Sequence, residues 1–147
     1  MSFKVLKKKI NNKEIKIGII GIGYVGLPLA ISFSKKKFKN IIGIENNKLI
    51  IQKIKKNVSP ISHIYNNEIK KLNKNFSITD KLNLINELDI IIICLPTPLD
   101  KSLSPDMSYI SNCMNKIKRY LKSYQLIILE STVYPGATNE LIINKIK

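Results

Sequence analysis

A glycine cluster near the start of the chain has the clearest capacity for chemistry. Residues 21–26 read Gly21-Ile22-Gly23-Tyr24-Val25-Gly26, which has the spacing G-x-G-x-x-G. The cluster follows an apolar segment and precedes an amphipathic one, as a dinucleotide-binding motif requires. Glycines there permit a tight turn, a close approach of the backbone to a pyrophosphate, and close packing of the helix on the strand. The cluster predicts phosphate binding at a helix N-terminus, and a glycine-rich turn without a ligand is the alternative.

An acidic residue stands where the same motif needs one. Glu45 lies 19 residues after Gly26, at the end of a second apolar segment. A carboxylate at this point accepts hydrogen bonds from the adenosine ribose hydroxyls and repels a 2′-phosphate, which favours NAD over NADP. Lys48 weakens that preference slightly. The alternative is an ordinary exposed glutamate at a strand end.

Two further polar groups follow later apolar segments. Thr97 stands between two prolines, which stiffen its backbone. Glu130, Ser131 and Thr132 occupy the equivalent place after the next segment. Ligands of open α/β sheets bind beyond the carboxyl ends of the strands, and a carboxylate beside hydroxyls can transfer a proton or position water. Proline-rich turn structure and helix capping are the alternatives.

The remaining candidate residues favour ordinary structural roles. His63, the one histidine, is expected at the surface. Cys94 and Cys113 fall in a strand pattern and a helix pattern, so we expect small core residues rather than nucleophiles, disulfides or metal ligands. Asp100 and Asp106 lie in a loop, where an Asx turn or a helix N-cap explains them.

These residues require alternating strands and helices to position them. The apolar pattern predicts strands over 16–20, 40–45, 76–79, 89–95 and 125–130. It predicts helices over 1–14, 27–37, 47–56, 63–73, 81–86, 107–121 and 137–147, with Leu49, Ile50 and Ile54 as apolar positions of the third helix. The fold class is therefore α/β, a Rossmann-type doubly wound and mostly parallel sheet.

Composition limits the partners. The chain has 147 residues and a net charge of +15, yet Arg119 is its only arginine. Nucleic-acid binding surfaces favour arginine and interleaved stacking aromatics, so we expect no nucleic-acid partner and interpret the charge as a solvated, drifted surface. There is no apolar run of membrane-spanning length and no signal-like segment, so we expect no membrane partner and a cytoplasmic location. Residues 1–14 are expected to form a basic extension or helix, and 15–147 one cofactor-binding domain.

Three sequence blocks, 16–30, 93–100 and 129–136, resemble the UDP-glucose/GDP-mannose dehydrogenase family. They occur in the order and spacing of that family and cover essentially the whole chain. The forms Pro-Thr-Pro-Leu and Glu-Ser-Thr-x-Tyr-Pro-Gly are most similar to the branch that oxidises UDP-N-acetylglucosamine or UDP-N-acetylmannosamine.

The resemblance implies a four-electron oxidation of a nucleotide-sugar C6 alcohol to a carboxylate with two NAD⁺. In the family, the first hydride transfer gives an aldehyde, which a cysteine thiol traps. A second hydride transfer, to the second NAD⁺, gives a thioester, and water hydrolyses it to yield uronic acids for surface polysaccharide. The matching positions imply NAD contacts at Tyr24, Val25, Glu45, Thr97 and Thr132. Thr97 would also lie near the reacting C6, whereas the register of the family's catalytic glutamate leaves the role of Glu130 open.

The sequence departs from the family in two ways. The family usually has aspartate where Glu45 stands. The family's nucleophilic cysteine, dimerisation helix and sugar-binding domain lie beyond position 147, so we expect a truncated Rossmann unit that cannot complete the oxidation alone. A UDP-sugar partner and a homodimer are expected only of the full-length enzyme. The alternatives are an inert NAD-binding module, a basic nucleic-acid binder, or another Rossmann dehydrogenase.

Overall fold

A five-stranded sheet forms the centre of the computed structural model, which describes residues 3–99 and 103–146. Its strands are β1 (Lys16–Ile20), β2 (Asn40–Ile44), β3 (Phe76–Thr79), β4 (Ile90–Ile93) and β5 (Leu126–Leu129). They lie in the order β3-β2-β1-β4-β5, and every neighbouring pair is parallel. The strand order reverses between β1 and β4, which creates a crevice at the carboxyl edge of the sheet. The predicted doubly wound α/β class is confirmed.

Six α-helices surround the sheet within the described ranges. They are α1 (Phe3–Asn11), α2 (Gly26–Lys35), α3 (Lys48–Lys55), α4 (Asn66–Leu72), α5 (Ser108–Ile117) and α6 (Asn144–Ile146). Short 3-10 segments span Leu82–Glu87 and Lys118–Tyr120, and a π-helical turn spans Asn139–Ile143. Pro28 stands in the first turn of α2, where its missing N–H costs no helical hydrogen bond.

The hydrophobic core is divided by the sheet. Ile17 and Ile19 of β1 belong to a cluster that includes side chains of α2, α3 and α4. Ile20 belongs to a second cluster, which contains Ile110 and Met114 of α5. All four isoleucines of β4 are buried, as expected of a strand covered on both faces.

Several predicted boundaries were wrong for local reasons. The predicted helix 63–73 begins only at Asn66, because Ser59 and Ile61 form a side-chain-closed turn before it and Glu68 accepts the Tyr65 N–H. The predicted helix 81–86 is a 3-10 segment, and the one predicted at 137–147 consists of the π turn Asn139–Ile143 followed by the short α6. Within α1, Phe3 is 78% exposed, whereas Leu6 and Ile10 pack against the core.

Asp89 secures the amino edge of the sheet, opposite the crevice. Its carboxylate accepts a hydrogen bond from Lys9 Nζ at 2.8 Å and one from the Lys16 backbone N–H at 3.0 Å. The contact ties α1 to the start of β4. In residues 3–99 and 103–146, no helix has the length and apolarity to cross a membrane. The same residues contain no group of three or more His, Cys, Asp or Glu side chains suited to a metal ion.

Candidate cofactor-binding site at the carboxyl edge of the sheet

The glycine loop after β1 makes a turn that only glycine fits. Gly21 has φ +90°, and its N–H donates to the Ile44 carbonyl at 2.9 Å. A Cβ at Gly21 would lie 2.7 Å from the Cys94 carbonyl oxygen, and one at Gly26 would overlap the carbonyl oxygen of Gly21. The loop is therefore closed on itself, and α2 begins directly against it.

The middle of the loop is open. A Cβ at Gly23 would meet nothing within 4 Å, so an anion can approach the backbone there. No side chain caps α2, so the partial positive charge of its amino end is left to an external partner, although the Leu27 N–H already donates to the Gly23 carbonyl at 3.0 Å. Tyr24 and Val25 are 74% and 50% exposed on the loop. This arrangement fits the pyrophosphate of a dinucleotide.

Ile22 anchors the loop from below. Its side chain is fully buried, and it packs over Gly43 of β2. A Cβ at Gly43 would lie 2.9 Å from Ile22 Cδ1 and 2.5 Å from Phe76 Cζ. The missing side chain at Gly43 therefore gives Ile22 its place on the sheet.

Glu45 holds the loop from the side. Its Oε2 accepts the Ile22 N–H, and its Oε1 accepts the N–H groups of Asn46 and Asn47, all at 2.9 Å. A carboxylate has about four acceptor sites, so these bonds leave one for a ligand hydroxyl. The sequence predicts Glu45 as a ribose contact, which stays a prediction, and it gives no signal for this structural role.

Thr97 and Thr132 come together at the ends of β4 and β5. The Thr97 hydroxyl donates to the Thr132 carbonyl at 2.8 Å, and the Ser131 hydroxyl donates to the Leu95 carbonyl at 2.7 Å. These two bonds join the neighbouring strand-end loops. Because the Thr97 hydroxyl donates its proton here, its oxygen remains available only as an acceptor. The sequence contained no signal for the Ser131–Leu95 bond.

Glu130 is exposed just beyond β5. Its N–H donates to the Ile93 carbonyl at 2.9 Å, which extends the pairing of β4 with β5. No described residue donates a hydrogen bond to its carboxylate. The side chain is therefore free to accept a proton or to position a water molecule.

Neither cysteine is activated. Burial, and secondarily the nearby charge of Glu130, raises the pKa of Cys94 to about 11. Burial also raises the pKa of Cys113 to about 11, against a smaller opposing effect of Lys116. The thiolate is the nucleophilic form, so both groups are inert at neutral pH. This agrees with the predicted structural roles.

The sequence predicts a surface position for His63 and loop or helix-cap positions for Asp100 and Asp106. His63 is exposed, as expected, but its ring stacks on Tyr24 with centroids 5.8 Å apart, a contact no sequence pattern signalled. Asp106 accepts the Ser108 N–H at 2.8 Å at the start of α5, and hydrogen bonds from Ser108 lower its pKa. Asp100 lies outside the described residues.

Known nucleotide-sugar dehydrogenases are similar to this chain in sequence. UDP-N-acetyl-D-glucosamine 6-dehydrogenase of Pseudomonas aeruginosa is 34% identical over 128 residues, which cover 87% of this chain and 30% of that protein. UDP-N-acetyl-D-mannosamine dehydrogenase of Pyrococcus horikoshii is 30% identical over 133 residues, covering 86% and 31%. The chain thus spans about 30% of the length of the curated relatives it matches.

Solved structures of nucleotide-sugar dehydrogenases are similar to this chain in fold. NDP-N-acetyl-D-galactosaminuronic acid dehydrogenase of Methanosarcina mazei superposes with a TM-score of 0.78 at 32% identity, covering 96% of this chain and 32% of that one. GDP-mannose dehydrogenase of Pseudomonas aeruginosa gives a TM-score of 0.80 at 26% identity, covering 90% and 32%. The sequence model of the UDP-glucose/GDP-mannose dehydrogenase NAD-binding domain matches residues 15–147. The chain therefore belongs to the UDP-glucose/GDP-mannose dehydrogenase family, within its NAD-binding domain.

Proposed function

We propose that residues 15–147 hold NAD for a nucleotide-sugar 6-dehydrogenase, which oxidises the C6 alcohol of a UDP-N-acetylhexosamine or UDP-glucose to the uronate for surface polysaccharide. The observation that carries the proposal is the glycine loop, open at Gly23 and fixed to Glu45 through the Ile22 N–H. The printed names of the relatives from Pseudomonas aeruginosa and Pyrococcus horikoshii support the acetylated sugar.

The first half of the edge binds the adenosine side of the cofactor. The backbone of Gly21, Gly23 and Gly26 and the exposed Tyr24 and Val25 surround the pyrophosphate. The carboxylate of Glu45 has one acceptor site left, and it accepts a hydrogen bond from a ribose hydroxyl there. Its negative charge disfavours a 2′-phosphate in the same place.

The second half faces the reacting end. NAD held here would supply the acceptor for a hydride from the sugar carbon. Thr97 and Thr132 would border its nicotinamide end, and the Thr97 oxygen would accept a hydrogen bond from the ligand or the C6 hydroxyl, because the Thr97 proton is donated to the Thr132 carbonyl. Glu130 takes a proton or positions the attacking water from its exposed place beside them.

These 147 residues alone bind NAD without completing the oxidation. The chain contains two cysteines, and burial raises the pKa of each to about 11, so neither supplies the thiolate that the family's second step uses. This observation favours the second candidate, a catalytically inert NAD-binding module that lacks the thiol half of the enzyme. The UDP-sugar and a homodimer belong to the complete enzyme. In this proposal the enzyme works in the cytoplasm and has no nucleic-acid partner.

Calorimetric titration with NAD tests the proposal. We expect saturable binding, and we expect Gly23→Val to abolish it by placing a side chain against the pyrophosphate. The matched control Ser32→Val adds the same side chain on the exposed side of α2 and retains the affinity. NADH absorbance is then followed with UDP-N-acetylglucosamine present. Lack of NAD binding contradicts the cofactor role, and sustained NADH production contradicts the inactivity of the isolated chain.

A further inference from the structure

The two edges of the sheet differ in charge. At the carboxyl edge, acidic residues directly follow three strands: Glu45 after β2, Asp80 after β3 and Glu130 after β5. Lys48 and Lys81 stand close behind two of these acids in sequence and offset their charge. At the amino edge, lysines precede or open the strands, and they are Lys13, Lys16, Lys36, Lys37, Lys39, Lys74 and Lys122. The excess of positive charge therefore lies opposite the crevice.

Few acids balance the lysines of the amino edge. Asp89 lies 2.8 Å from Lys9 Nζ, and Glu87 lies 3.6 Å from Lys16 Nζ, so both carboxylates are already paired. Glu14 is the third acid at this edge. Within residues 3–99 and 103–146, the three lysines of the loop between α2 and β2 form no ion pair. A net positive surface remains, and such a surface attracts an anionic partner.

Helix α1 lies against this edge and extends it. The Lys9–Asp89 contact joins α1 to the start of β4. Just after the helix, Lys13 Nζ lies 4.4 Å from the centroid of the Phe38 ring, which precedes β2. The family model begins at residue 15, so α1 precedes the matched domain. The helix is thus held in place at the amino edge by contacts that leave its outer face open.

The outer face of α1 combines cations with an aromatic ring. Lys4, Lys7 and Lys8 are exposed, and Phe3 in the first turn is 78% exposed. Lysines beside an exposed aromatic ring suit the boundary between lipid headgroups and acyl chains. Nucleic-acid surfaces favour arginine, whereas the one arginine of this chain, Arg119, packs over the Tyr120 ring. The composition of this face therefore favours a lipid surface over a nucleic acid.

We propose that the amino edge and α1 dock the chain on an anionic lipid bilayer. The lysines supply the electrostatic attraction, Phe3 inserts among the headgroups, and the crevice at the carboxyl edge faces the solvent. The expectation of no membrane partner rested on apolar runs of spanning length, and attachment to a surface requires none. The inference does not depend on the proposed function, because the charge and the exposed ring lie away from the glycine loop.

Cosedimentation with lipid vesicles tests the inference. The 147-residue protein is mixed with vesicles of phosphatidylcholine alone or with about one third phosphatidylglycerol. We expect binding to the anionic vesicles only, and at least about tenfold weaker binding when the salt concentration rises from about 50 to about 500 mM. Thermal melts check that each variant below is folded.

Charge reversal locates the docking surface. Lys4→Glu/Lys8→Glu on α1 should weaken vesicle binding at least about tenfold, and Phe3→Ser should weaken it about threefold. Lys36→Glu/Lys39→Glu tests the same edge through the loop between α2 and β2, independently of the folding of α1. The matched control Lys48→Glu/Lys81→Glu makes the same charge change at exposed positions of the carboxyl edge and should alter binding less than about twofold.

Four outcomes overturn the inference. Equal binding to uncharged vesicles removes the electrostatic attraction, and equal weakening by the carboxyl-edge control shows a general effect of net charge. Tighter binding to a short DNA or RNA duplex than to the anionic vesicles assigns the edge to nucleic acid. Absence of vesicle binding removes the surface altogether. NAD titration without vesicles reports on the proposed function alone, so failure of either proposal is distinguishable from failure of the other.

Discussion

The two halves of the carboxyl edge are held in different ways. The half after β1 and β2 is fixed by backbone groups: Glu45 accepts three N–H groups, and Gly21 packs against the Cys94 carbonyl. The half after β4 and β5 depends on two side-chain hydroxyls, Thr97 and Ser131, beside an edge strand whose residues are only partly buried or exposed. The first half is therefore a preformed ligand site. In the second half, the hydroxyl and carboxylate side chains are largely open to solvent.

The largest expected effect is in the first half. Gly26→Ala places a Cβ on the Gly21 carbonyl oxygen and forces α2 away from the loop. We expect the free energy of unfolding to fall by about 2–4 kcal/mol and NAD binding to be lost. Gly23→Ala is the control, because its Cβ enters open space and leaves the melting temperature unchanged while weakening NAD. Thermal melts and calorimetry measure both, and equal loss of stability in the two variants would contradict the difference.

Both thiols lie outside the first half, Cys94 directly after β4 and Cys113 within α5, and they should react slowly. A rise in pKa from 9.0 to about 11 reduces the thiolate fraction about 100-fold near neutral pH. We expect iodoacetamide to alkylate the native protein at least about 100-fold more slowly than the urea-unfolded chain, as followed by mass spectrometry. Cys94→Ala and Cys113→Ala separate the two sites. Rapid alkylation of either native thiol would sink the view that the chain lacks a nucleophilic thiol.

Replacing the central carboxylate gives a smaller effect. Glu45→Gln removes the charge and turns an acceptor into an amino group facing backbone N–H donors. We expect about tenfold weaker NAD binding and a loss of about 1–2 kcal/mol in stability, by calorimetry and urea unfolding. Glu87→Gln is the matched control, since its carboxylate makes an exposed 3.6 Å ion pair with Lys16 at the opposite edge. Unchanged affinity in Glu45→Gln would separate the loop anchor from the ligand site.

The smallest effects concern the hydroxyl links of the second half. Thr97→Val and Ser131→Ala each remove one hydrogen bond, which contributes about 1 kcal/mol. We expect urea unfolding to show that loss and NAD affinity to fall a few-fold, with coupling between the two variants in a double-mutant cycle. Ser123→Ala, on an exposed turn, is the control. Losses as large as those of Gly26→Ala would show that the second half is as preformed as the first.

Features written in local sequence could be predicted, and those made by distant contacts could not. The strands and the glycine turn follow from apolar runs and the spacing of Gly21, Gly23 and Gly26, so both agree with the structure. The start of α4 depends on Glu68 and on a turn closed by Ser59, which periodicity does not register.

The candidate site shows the same limit. Glu45 was placed at the correct strand end, but its bond to the Ile22 N–H spans 23 residues and could not be inferred from spacing. The Tyr24–His63 stack and the Thr97–Thr132 bond are likewise tertiary contacts. In α3, Ile51 is buried in the core whereas Leu49 is exposed, a difference that the apolar spacing of the helix did not indicate.

The buried Ile22 has a consequence for how the loop becomes ordered. Ordering a residue costs about 1–2 kcal/mol of backbone entropy. Because Ile22 is fully buried over Gly43, the chain meets that cost for the glycine loop when β1 and β2 pair, before any ligand arrives. Loop order is thus coupled to the folding of the βαβ unit. On heating, loss of the phosphate cradle and separation of these strands belong to one cooperative transition, with no earlier melting of the loop.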